Sequence, residues 1–64
     1  MDNVRLYVDT WTETGAWLRF FALLNIPYRR NAGQFLTDAM PRPEAQAILT
    51  LAHREGLLSR ITLR

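Results

Sequence analysis

From Ala16 to Leu24 the chain reads Ala-Trp-Leu-Arg-Phe-Phe-Ala-Leu-Leu, with Arg19 as its only charge. On a helical wheel Leu23, Phe20, Leu24, Trp17 and Phe21 cover a broad arc, and Leu18 and Ala22 occupy much of the rest. A helix apolar on nearly every side must be buried on most of them. A chain of 64 residues has little to bury it with, since a domain near this size covers only about 60% of the surface its unfolded chain exposes. The helix therefore demands an efficient core or a partner surface. Small chains often recover stability from disulfides, a metal or self-association. Here there is no cysteine and one histidine, His53, so disulfides and thiolate or histidine-built zinc sites are excluded. Self-association remains, and a homodimer is expected.

The same stretch is far short of the ~20 residues a membrane span requires. The N-terminus, Met1-Asp2-Asn3-Val4-Arg5, lacks the basic-then-apolar order of a signal peptide. The expectation is one small domain over residues 1–64, cytoplasmic and with no membrane partner.

Both ends of the chain carry the two-residue period of a half-buried strand. Val4, Leu6 and Val8 alternate with Arg5, Tyr7 and Asp9, and Ile61 and Leu63 alternate with Arg60, Thr62 and Arg64. Two terminal strands are expected to pair with each other and to pack on helices, because an isolated ribbon is marginal. The first helix is expected over Trp11 to Leu24, opened by a Thr10–Glu13 capping box. Asn25 in the left-handed conformation, Ile26 and Pro27 close it. A second helix is expected after Asn31, with Gln34 at capping-box spacing and Phe35, Leu36, Ala39 and Met40 as its apolar stripe. Pro41 stops it. Pro43 suits the first position of a third helix, Glu44 complements the helix dipole, and Gly56 ends it after about Glu55. The fold expected from these signals is α+β, with three short helices and a two-stranded sheet of the N- and C-terminal strands.

Ala45, Ile48, Leu49 and Ala52, followed by His53-Arg54-Glu55-Gly56-Leu57-Leu58 and a basic alternating strand, resemble the winged-helix branch of helix-turn-helix proteins. The resemblance covers Gly33 to Arg64, about half the chain. It implies a winged-helix-like arrangement in which the third helix reads DNA and a wing strand follows. The turn Pro41-Arg42-Pro43 is stiffer than the family's usual turn, and no full wing hairpin fits before Arg64. Leu6-Tyr7, Leu18-Arg19-Phe20 and Ile26-Pro27-Tyr28 are also similar to the first strand and helix of thioredoxin-fold proteins. Those carry a redox cysteine where this chain has Thr10 to Thr14, so redox chemistry is excluded.

All eight basic residues are arginine, against six acids, which leaves a formal charge of +2. Arginine's planar fork suits phosphate and carboxylate, although a GC-rich coding bias produces the same composition. On the third helix Gln46, Thr50, His53 and Arg54 lie opposite the apolar stripe. Gln and Arg read adenine and guanine edges in the major groove. Arg42, Arg60 and Arg64 are placed to hold phosphates, while Glu44 and Glu55 repel them. Arg29-Arg30 beside Tyr28 is the one basic pair with an aromatic neighbour. Catalysis is not expected: Ser59 is the only serine, His53 the only imidazole base, and three separated glycines form no phosphate cradle. No cofactor or metal is implied.

The leading expectation is a small regulator of transcription that binds double-stranded DNA as a homodimer through Arg42, Gln46, Thr50, Arg54, Arg60 and Arg64. The competing one is a protein-binding inhibitor or adaptor of the phage or mobile-element kind. It would engage a larger protein target through Trp17, Phe20 and Leu24, since aromatics with arginine typify interface hot spots.

Overall fold

The computed structural model describes residues 2–9 and 13–64. The N-terminal alternation becomes two short strands, β1 (Asn3–Val4) and β2 (Leu6–Asp9). Val4, Leu6 and Val8 point into the core, and Arg5, Tyr7 and Asp9 point away from it. Helix α1 (Thr14–Leu24) follows. The capping-box expectation is corrected in part: Glu13 is the residue preceding the helix, and its side chain makes no cap hydrogen bond. Thr10 and Trp11 lie outside the described residues. At the other end Asn25 adopts the left-handed conformation (φ 54°). The Asn25 N–H donates to Ala22 O at 3.2 Å and the Ile26 N–H to Phe21 O at 3.0 Å, the paired bonds of a Schellman ending.

The expected second helix does not form. Its residues make a hairpin, β3 (Tyr28–Asn31) with β4 (Gln34–Thr37), joined by Ala32 and Gly33. Both loop residues have positive φ, 48° and 80°, as a two-residue type I′ turn requires. Phe35 and Thr37 are buried while Gln34 and Leu36 are not, so the period here is two. A two-residue strand β5 (Met40–Pro41) then pairs with β1. Helix α2 (Arg42–Arg54) carries Pro43 and Glu44 in its first turn. It ends as expected on Gly56 (φ 81°), with the Leu57 N–H donating to Ala52 O and the Gly56 N–H to His53 O. The last strand is β6 (Ile61–Leu63).

The terminal strands do pair, Leu6 with Leu63 and Val8 with Ile61. They do so inside a larger sheet of order β3-β4-β2-β6, antiparallel throughout. Two helices and six strands in two antiparallel sheets, among the described residues, therefore replace the three helices and two-stranded sheet expected. The winged-helix-like arrangement fails for a physical reason. The element before α2 is a strand pair, so α2 has no preceding helix to make a helix-turn-helix. The sequence of elements from β2 onward, with β5 as a side bridge, is the split β-α-β arrangement.

Both helices bury their apolar faces against one side of the main sheet. Trp17, Phe20 and Phe21 of α1 and Ala45, Ile48 and Ala52 of α2 join Leu6, Val8 and Phe35 in one core. Phe21 is its hub: its ring stacks on Tyr28 at 5.2 Å and meets Phe35 edge-on at 5.8 Å and Trp17 at 5.5 Å. Each such aromatic pair contributes ~0.5–1.5 kcal/mol beyond burial. Thr37, the one buried polar side chain among the described residues, is satisfied. Its hydroxyl accepts from Leu6 N–H at 3.0 Å and donates to Asp38 O at 3.1 Å. Burial of α1 is not complete, since Leu23 is 81% exposed.

Candidate nucleic-acid interface

The side of the main sheet away from the helices is covered by no described element. Cross-strand partners share a face, so the register gives its occupants row by row. The middle row runs Arg29, Leu36, Tyr7, Thr62 across β3, β4, β2 and β6. The next runs Asn31, Gln34, Asp9 and, through the Asp9 N–H to Arg60 O bond of 3.0 Å, Arg60. On the other side Arg5 and Arg64 exchange backbone hydrogen bonds of 3.1 Å each, which puts two like charges directly opposite one another. Asp38, just past β4, lines a depression beside α2 and is not part of these rows.

This geometry concentrates charge. Arg5, Arg29, Arg60 and Arg64 share the face with Asp9, an excess of three positive charges. The rest of the chain carries four arginines against five acids. On and just beyond α2, Arg42 and Arg54 are balanced by Glu44 and Glu55. Asp9 is further occupied, accepting from the Gln34 side-chain amide at 3.2 Å. The guanidinium of Arg64 lies 5.0 Å from the Tyr7 ring centroid, a cation–π arrangement.

The sequence-expected residues divide between surfaces. Arg60 and Arg64 flank β6 and join the sheet face. Arg42, Gln46, Thr50 and Arg54 are all exposed along α2, with the Thr50 hydroxyl turned back to Gln46 O at 3.0 Å. Of the helix-one set, Trp17 is 1% exposed and Phe20 8%, whereas Leu24 reaches the surface at 41%. Sequence reasoning did not single out Tyr7, Leu36 or Arg5. The alternation of residues 4–9 already placed Arg5 with Tyr7, and Arg29 stood in the noted basic pair. What was lacking was the hairpin that brings Arg29 and Leu36 alongside.

A second polar cluster braces the fold. The Leu58 N–H donates to both Glu13 carboxylate oxygens, at 3.0 and 3.1 Å. The Ser59 hydroxyl donates to Glu13 as well, and accepts from Trp17 Nε1–H at 3.0 Å. These bonds, Ser59's hydroxyl first and then the Leu58 amide, hold the Glu13 pKa below the ordinary value of 4.5. A carboxylate so held is a poor proton acceptor, and the trio ties the start of α1 to the segment entering β6. Two shallow depressions, of about 250 and 200 Å³, flank the helices. The first, around Phe20, Leu23 and Leu57, also carries Arg19 and Glu55, and the second carries Asp38 and Glu44.

Comparison with protein-family models, with curated proteins and with solved structures returned no match. No helix among the described residues is long and apolar enough to cross a membrane.

Proposed function

We propose that this protein is a non-enzymatic nucleic-acid-binding module whose contact surface is the uncovered face of the four-stranded sheet. The observation that carries the reading is the excess of three positive charges on that face, against four arginines and five acids in the rest of the chain. Phosphate contacts supply most of the affinity of such modules, and guanidinium forks are the side chains best matched to them. The directly opposed Arg5 and Arg64 add to it: like charges across a strand pair destabilise, and a bound phosphate relieves that repulsion. A nucleic-acid ligand implies a cytoplasmic site of action. The other arrangement, α2 laid in the major groove of duplex DNA, has exposed Gln46 and Arg54 in its favour but a charge-balanced helix.

The test is fluorescence anisotropy of labelled oligonucleotides, single-stranded and duplex, at low and moderate salt. Two variants are compared, Arg29→Ala/Arg60→Ala and Arg42→Ala/Arg54→Ala. Salt-sensitive binding that only the first pair weakens supports the sheet face. Loss confined to the second pair transfers the contact to α2. Absence of binding at low salt overturns nucleic-acid recognition altogether.

A further inference from the structure

We infer that the ligand on this face is a single strand, held by one base stacked on Tyr7 and by phosphates on the surrounding arginines. The inference rests on the reading that the face binds nucleic acid, and it names the strand state and the residue that engages a base.

Shape excludes the simplest duplex contact. Four strands spaced about 4.8 Å apart set the outer strand axes roughly 14 Å from each other. The major groove of B-DNA is about 12 Å wide and admits a helix or a two-stranded ribbon. A four-stranded face cannot enter it. A single strand can lie across the sheet with its bases turned toward the protein, as unpaired bases are when they stack on aromatic side chains.

The composition of the middle row points the same way. Tyr7 and Leu36 sit on the two central strands, directly opposite one another, and both are partly accessible. They form an apolar step with polar side chains beyond it on both sides, Arg29 on β3 and Thr62 on β6. A base and its sugar need such a step, and a bare polyanion does not. The guanidinium of Arg64 over the Tyr7 ring, 5.0 Å from its centroid, marks a ring face open to a planar or cationic partner. A base takes that place, and Arg64 moves to a neighbouring phosphate beside Arg5. With one aromatic, recognition is tolerant of base identity, because every base has a π-face.

The experiment compares three labelled probes with the intact protein: a mixed-sequence 12-nucleotide strand, a strand of the same length abasic at every position, and the duplex. The expected result is binding of the intact strand about ten-fold tighter than either of the others, in line with stacking measured by alanine substitution. Tyr7→Ala should lose that ten-fold advantage while binding the abasic strand as the native protein does, and Tyr7→Phe should retain it. Equal binding of all three probes overturns the stacked single strand yet leaves phosphate recognition standing. No binding of any probe overturns both. The probe comparison needs no variant, so its outcome stands whether or not Tyr7→Ala folds.

Discussion

The two faces of the main sheet are made by the same strands and differ in almost everything else. Toward the helices β2 and β4 present Leu6, Val8, Phe35 and Thr37, each no more than 1% exposed. Toward solvent the same strands present Tyr7, Asp9, Gln34 and Leu36, all only partly buried. One face is chosen by packing and tolerates no unpaired polar atom. The other holds four arginines with no described layer over them, an arrangement that contributes little to folding and in the Arg5–Arg64 pair works against it. Residues that do not serve the fold are where a function is to be sought, and the contrast can be tested from both sides.

The largest expected effect lies on the covered face. Phe21→Ala removes the ring shared by Trp17, Tyr28 and Phe35, and a buried Phe-to-Ala change costs ~3–5 kcal/mol. In a domain this small that suffices to unfold much of the population, which circular dichroism in urea will read. Thr37→Val tests a single bond at nearly constant shape. It leaves the Leu6 N–H, now bonded at 3.0 Å, without its acceptor, at a cost of ~1–3 kcal/mol. A variant as stable as the native protein would show that this amide finds water, and that the covered face is less dry than its burial implies.

Much of this contrast was legible before the fold was known. The alternations at residues 4–9 and 61–63 gave both terminal strands, their pairing and their inward faces. Asn25 and Gly56 gave both helix endings through the same left-handed geometry. The hairpin was not legible, because Tyr28 to Asn31 are all exposed and carry no apolar period. Phe35, Leu36, Ala39 and Met40 also happen to satisfy helical spacing. The missing hairpin then hid the site. A surface assembled from four strands exists only once their order and register are set, whereas the polar face of α2 is displayed by a single helical wheel.

A smaller and pH-dependent effect belongs to the brace between α1 and the segment entering β6. Glu13 is bonded as a carboxylate, and its pKa lies below 4.5 in the folded protein. A group depressed on folding contributes stability that is fully present above its unfolded pKa and is lost as pH falls through its folded value. Thermal melts should therefore lose stability below about pH 4.5, the ordinary glutamate value, with part of that loss due to Glu13. Glu13→Gln should flatten that part of the profile. An acid limb unchanged in Glu13→Gln would place the acid sensitivity elsewhere.

The smallest effects on stability, and the sharpest separation of the two faces, are expected at the arginines. Exposed substitutions away from caps and buried bonds usually stay within ~0.5 kcal/mol, and Arg60→Ala should do so in the same urea titration. Arg5→Gln should go further and raise stability by ~0.2–1 kcal/mol, because it removes a like charge held directly opposite Arg64. Binding should move the other way. Each arginine that neutralises a phosphate on a single strand adds about 0.7 to the slope of log affinity against log salt, so either variant should flatten that slope by roughly this amount. Arg5→Gln is the decisive member of the pair. A variant both less stable and unaltered in its salt slope would mean that Arg5 serves the fold. A variant more stable and weaker in binding would mean that the sheet keeps a repulsive pair in place because a phosphate occupies it.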